Sequence, residues 1–269
     1  MSPDLPLGRE VDYPDTYTPE LLAPVSRRQA REALALPEPL PFSGRDIWNA
    51  WELTWLDECG KPQVAGLELQ VPADSPNICE SKSLKLYLNS FAMSAFATRD
   101  EVLATIKSDL GAVVGSEVDV RCLQPGDEHG VTVSGGHGRC IDSLDVAMDY
   151  AVPTEVETDP ADSVTETLYS DLFRSLCPVT GQPDYATVQI HYQGPRIREE
   201  SLLRYLLSFR RHQDFHEACV EQIFMHIAGL TGMTQCLVNA RFLRRGGIDI
   251  NPWRANYPVT IDNNRLWRQ

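Results

Sequence analysis

The chain is poor in lysine. Of its 24 basic residues only four are lysines, at positions 61, 82, 85 and 107, against 38 acidic residues and a formal net charge of −14. That balance argues against a nucleic-acid partner, whose binding rests on Lys and Arg neutralising phosphates. Long apolar runs are missing too: none approaches the roughly 18 residues of a membrane helix. Residues 1–10 lack the basic and apolar regions of a secretory signal. A cytoplasmic protein with no membrane partner is expected. The seven cysteines form no Cys-x-x-Cys pair, and the six histidines do not fall beside them at zinc-ligand spacing, so no metal is expected. No Gly-x-Gly-x-x-Gly follows a predicted strand, which removes the Rossmann type of dinucleotide site.

What is present is enough chain for two domains: 269 residues, 42% of them hydrophobic. Residues 1–45 are rich in proline and charge and read as an arm, with a short helix near 26–36 and no assigned chemistry. Trp48, Trp51, Leu53 and Trp55 suggest a strand. Leu67, Leu69 and Val71 alternate with polar residues as a second. Leu84, Leu88, Phe91 and Ala95 then recur at helical spacing, with Ser81 or Ser83 as the cap. A second helix is capped by Asp100 and runs to about Leu110. Val118–Leu123 and Gly130–Ser134 read as a hairpin. The acidic, proline-containing stretch 142–166 reads as a linker.

After it the order begins again. Val188, Ile190 and Tyr192 alternate as a strand and a helix starts near Glu199. Residues 83–91 (SLKLYLNSF) and 201–209 (SLLRYLLSF) agree at six of nine positions, at an offset of 118. Pro62, Leu67 and Leu69 match Pro183, Val188 and Ile190 at an offset of 121, so the first half carries three extra residues in the loop that delivers Glu80. A duplication follows: one module over 46–141, a second over 167–269, each of α+β class with helices on one face of an antiparallel sheet. The second module continues with a Phe215, Cys219, Ile223, Ile227 helical stripe and a strand over 236–242, and ends in a loop over 244–254.

Polar positions that differ between the halves point to chemistry. Cys177 is set against Leu56, Asp184 against Gln63 and Glu217 against Arg99. A thiol with a reference pKa of about 8.5 needs a base or a positive field to act as a nucleophile, and Asp184 could take and return its proton. An inert buried cysteine fits the same spacing. Glu80 or Glu217 could bind the donor pair of a purine-like ring, and His216 could orient it. Lys82, Lys85, Arg244 or Arg245 could meet phosphates, with Gly246 allowing close backbone approach. A solvated lysine face also fits the pair on its own.

Taken together, Glu80-Ser81-Lys82-Ser83-Leu84-Lys85-Leu86-Tyr87, the Cys177 to Asp184 turn, Phe215-His216-Glu217 and the 244–254 segment resemble the QueF-type nitrile reductases in their long two-module form. The resemblance implies tandem tunnelling-fold (T-fold) modules with sites at module interfaces, and NADPH-dependent reduction of 7-cyano-7-deazaguanine in queuosine biosynthesis. It implies that Cys177 adds to the nitrile carbon to give a thioimide, with Asp184 the proton donor and two NADPH the reductant. Ile78, Cys79, Glu80, His216 and Glu217 are then expected to hold the deazaguanine. Ser81, Lys82, Lys85, Arg245 and Gly246 are expected to meet NADPH. A homodimer is implied. A T-fold pterin or purine hydrolase, and a non-catalytic purine-binding module, are the alternative readings.

Overall fold

The computed structural model describes residues 13–123, 133–150 and 154–269. Two compact units emerge, the first within Met1–Ala35, Arg45–Val131 and Arg244–Ile250, the second within Leu36–Gly44, Thr132–Leu243 and Asn251–Gln269. Among the described residues no helix is long and apolar enough to cross a membrane.

The first unit holds β1 (Pro24–Ser26), α1 (Arg28–Ala33), β2 (Ser43–Leu56), β3 (Pro62–Pro72), β4 (Asn77–Cys79), α2 (Ser81–Ser90), α3 (Arg99–Val114) and β5 (Asp119–Leu123). Strands β2 and β3 form an antiparallel hairpin, with β5 added antiparallel on β3. The alternation of Leu67, Leu69 and Val71 puts those side chains on one face, where Leu84, Tyr87 and Leu88 of α2, Phe91 just after it, and Val102, Ile106, Leu110 and Val114 of α3 close the core. Each fully buried Leu or Ile there contributes about 1.5–3 kcal/mol.

The second unit repeats the plan with β6 (Val133–Ser134), β7 (Arg139–Cys140), β8 (Thr158–Leu176), β9 (Pro183–Ile197), α4 (Glu199–Ser208), α5 (His216–Ala228), β10 (Gln235–Phe242), β11 (Ile248–Ala255, from Asn251 onward) and β12 (Arg265–Leu266). Its sheet runs β7-β8-β9-β10-β11, antiparallel except for β7 on β8. Of the stripe expected on α5, Cys219, Ile223 and Ile227 are wholly enclosed, whereas Phe215 is the residue before the helix and is partly exposed.

Several expectations change. Helix α2 is capped by the Glu80 side chain, not by Ser81 or Ser83, and α3 by Thr98, whose hydroxyl accepts the Glu101 N–H, not by Asp100. Within the stretch read as a linker, residues 158–166 are the outer part of β8. That part shows no apolar alternation because its side chains face water. Arg196 holds Asp162 at 2.6 Å, Arg139 holds Glu166 at 2.9 Å, and Pro160 sits where the β8–β9 register shifts. The 244–254 loop contains strand β11, hidden in the sequence because both faces are buried and much of it is polar. Asp249 accepts from Asn49 Nδ2 (2.7 Å), and Arg254 pairs with Glu221 (2.9 Å). Of the expected hairpin after Val118, residues 124–132 lie outside the described ones, and Val133–Ser134 pairs in parallel with β12.

Candidate active site

In the second unit a hairpin and a helix start carry four polar groups, Cys177, Asp184, His216 and Glu217. Strands β8 and β9 align Ser175 with Asp184 and Leu176 with Pro183, leaving Cys177 as the first residue of the turn. The Cys177 N–H donates to Gln182 O (2.9 Å) and its carbonyl accepts the Gly181 N–H (2.9 Å). Gly181 sits at φ +69°, a left-handed conformation that favours glycine. Leu176 exchanges backbone hydrogen bonds with His212 O and the Asp214 N–H, which docks the hairpin end on the segment leading into α5. At the start of that helix His216 Nε2 lies 3.2 Å from Asp184 Oδ1. The imidazole stacks on Phe242, with centroids 3.8 Å apart and an 11° interplanar angle, and its Nδ1 is buried without a hydrogen-bond partner. Cys177, Asp184 and Glu217 are all buried.

The repeat sharpens what Cys177 replaces. Leu56 makes with Ser94 and Phe96 the backbone bonds that Leu176 makes with His212 and Asp214. The counterpart of Leu56 is therefore Leu176, and that of Cys177 is Asp57, whose N–H donates to Lys61 O as the Cys177 N–H does to Gln182 O. The sequence comparison was off by one because the second turn is one residue longer. Asp184 keeps Gln63 as its counterpart, since each neighbours the aligned proline. In the first unit Gln63 Nε2 donates to Asp57 Oδ2 at 3.0 Å, so side chains at these two hairpin positions reach one another there.

The first unit holds the other expected residues. Ile78 and Cys79 lie on β4, paired with β1, and both are buried. Glu80 is 1% exposed. Its carboxylate accepts the Lys82 N–H and the Ser83 N–H, both at 2.8 Å, and Ser81 Oγ lies at 3.4 Å. Burial pushes the Glu80 pKa above the usual carboxylate range, while these hydrogen bonds and the Lys82 charge pull it down. One turn further along α2, Lys85 Nζ lies 3.4 Å from Glu52 Oε2. It lines a cavity of about 40 Å³ with Glu52, Leu88, Asn89, Gly246 and Gly247. Gly246 sits at φ +55°, a left-handed conformation that favours glycine, and a Cβ there would fall 2.8 Å from Lys85 Nζ and displace the ammonium. The Arg245 N–H and carbonyl are both hydrogen-bonded to Ile248. A lysine beside a glycine backbone, with Lys82 one turn away, fits an anionic phosphate group. Among the described residues no group of three His, Cys, Asp or Glu is placed to hold a metal ion.

The remaining thiols are set apart by burial. Enclosure, with the negative field of Asp214, Asp184 and Glu217, holds Cys219 well above the usual thiol range; burial raises Cys236 to about 12. Cys59 and Cys140 are exposed. Brief alkylation of the folded protein at pH about 8, read by peptide mass, should therefore label Cys59 and Cys140 and spare Cys219 and Cys236 until denaturant is added. Labelling of Cys219 in the folded protein would contradict that order.

Two units of one plan, with a buried thiol and a carboxylate–imidazole pair in one and a capped motif helix in the other, define a tandem T-fold protein. Residues 13–122 match the family model "Nitrile reductase, 7-cyano-7-deazaguanine-reductase N-term", and residues 183–258 match "QueF-like protein". The chain is 49% identical over 269 residues to the NADPH-dependent 7-cyano-7-deazaguanine reductase of Desulfotalea psychrophila, covering 98% of this chain and 97% of the relative. It is 47% identical over 274 residues to the protein of that name from Paraburkholderia phytofirmans, and 48% identical to that of Burkholderia ambifaria, each over the full length of both chains. The chain belongs to the NADPH-dependent 7-cyano-7-deazaguanine reductase family, in its long two-module form.

Proposed function

We propose that Cys177 is the nucleophile and Asp184 the proton carrier of the reaction. The enzyme reduces 7-cyano-7-deazaguanine to 7-aminomethyl-7-deazaguanine with NADPH, in queuosine biosynthesis. The observation that carries the assignment is the hairpin itself: it seats a buried thiol one residue past β8, aligns Asp184 with Ser175 two residues before that thiol and so on the same face of β8 and β9, and ties the carboxylate to His216 at 3.2 Å.

On this reading the Cys177 sulfur bonds to the nitrile carbon, and the proton goes to the nitrile nitrogen by way of Asp184, leaving a thioimide. His216 fixes the Asp184 carboxylate, while Phe242 behind the ring keeps the imidazole in place. Glu217 in the second unit and Glu80 in the first are acceptors for ring N–H donors of the deazaguanine, and the Ile78–Cys79 backbone that leads into Glu80 contributes with it. When bound, each of two successive NADPH would supply one electron pair, and the C–S bond breaks between the two transfers, so that the Cys177 thiol is regenerated and the amine is released. Ser81, Lys82, Lys85, Arg245 and Gly246 would hold the NADPH phosphates by charge and backbone N–H groups. A free base as substrate agrees with the net charge of −14, which disfavours a nucleic-acid partner. The homodimer and the cytoplasmic setting belong to the same reading.

Lys82→Ala tests the cofactor half. NADPH oxidation should show a KM for NADPH raised roughly tenfold, the size of one charge-assisted hydrogen bond, with the nitrile KM changed far less. An unchanged NADPH KM would leave Lys82 a solvated surface charge.

A further inference from the structure

The segment before α1, which carries no chemistry of its own, is built onto the residue that the proposed reaction needs aimed. Ser83 is fully buried. Its hydroxyl donates to Glu80 O (2.7 Å) and accepts the Ala23 N–H (3.0 Å), while the Glu80 N–H donates back to Ala23 O (2.9 Å). The main chain of Glu80 is thus clamped on both sides, and β1 continues the clamp by pairing with β4. Further contacts fasten the same segment along α2: Thr18 N–H to Ser90 Oγ (3.1 Å), Asn89 Nδ2 to Pro14 O (2.9 Å), and the Tyr17 and Tyr87 hydroxyls together on Asp109 Oδ2 (2.7 Å each).

The second unit contains the same clamp around a different residue. Ser201 Oγ donates to Arg198 O (2.6 Å) and accepts the Glu157 N–H (2.9 Å), and the Arg198 N–H donates to Glu157 O (2.8 Å). There the clamping chain runs on into the 19-residue strand β8, and Arg198 makes no side-chain cap. In the first unit the clamping strand is a separate piece of three residues, and the clamped residue is a buried carboxylate. The scaffold is shared; its cargo is not.

We infer that Ser83, with the Ala23 main chain that it holds, is a positioning residue that sets the direction of the Glu80 carboxylate and so the affinity for the deazaguanine ring. The inference rests on Glu80 being a substrate ligand. A side chain that must meet a planar donor pair loses affinity when its main chain shifts, even with the carboxylate intact.

Ser83→Ala and Ser201→Ala remove equivalent bonds from equally buried sites, so each is the control for the other. Ser83→Ala should raise the nitrile KM about tenfold with kcat within about twofold, whereas Ser201→Ala should leave both within about twofold at a similar loss of Tm. Should Ser83→Ala fail to fold, Ser83→Cys under reducing conditions keeps the shape of the side chain but is only a weak donor and acceptor, and the nitrile KM should rise in the same direction. Glu80→Ala is measured in parallel. If it leaves the nitrile KM unchanged, the assignment of Glu80 fails. If it raises the KM while the two serine variants behave alike, the clamp is scaffold only and the inference is overturned.

Discussion

Cys177→Ala should lower turnover by at least about 10⁴-fold while leaving the protein folded, because the variant keeps every hydrogen bond that the structure gives this residue and removes only the sulfur. Those bonds are main-chain ones, Cys177 N–H to Gln182 O and Gly181 N–H to Cys177 O, and alanine makes both. No other buried thiol can take over. Cys219 is wholly enclosed and its thiol is held protonated, Cys236 likewise, and Cys79 Sγ is engaged with Ser83 Oγ and Glu80 O at 3.6 Å. Cys79→Ala should therefore keep turnover within a fewfold of the parent. Retained turnover in Cys177→Ala, with loss in Cys79→Ala, would move the chemistry to the other unit.

Asp184→Asn should cost about 10²–10⁴-fold in kcat, the usual range for a positioned proton carrier. The amide is nearly isosteric, still accepts at Oδ1 and can keep the His216 contact, so the loss reports proton transfer and not collapse of the hairpin. Thermal unfolding should shift little. A variant with near-parental kcat would show that the proton comes from elsewhere, with His216 the next group in line.

Much of this was legible in the sequence because duplication supplied an internal comparison. The identities between residues 83–91 and 201–209 marked what both modules use as scaffold: Ser83 and Ser201 are both clamps, and Leu84, Tyr87 and Phe91 are core. Of the non-identities, Glu80, Cys177, Asp184 and Glu217 proved to be buried, whereas Lys82 and Lys85 are partly exposed. What stayed hidden had physical reasons. A one-residue difference in turn length cannot be seen by aligning strands, so Cys177 was set against Leu56 instead of Asp57. The outer half of β8 pairs its acids with arginines and carries no apolar period. Strand β11 hides polar side chains on paired partners, which reads as loop. The Ala23 contact with Ser83 spans 60 residues, and nothing local announces it.

The central claim is that Cys177 forms a covalent bond to the nitrile carbon. Intact-mass measurement of the protein incubated with 7-cyano-7-deazaguanine and no NADPH tests it directly. The account predicts a single added substrate mass, mapped to the peptide that carries Cys177, lost in Cys177→Ala and kept in Cys79→Ala and Cys219→Ala. An unmodified mass, or an adduct that survives Cys177→Ala, would contradict it.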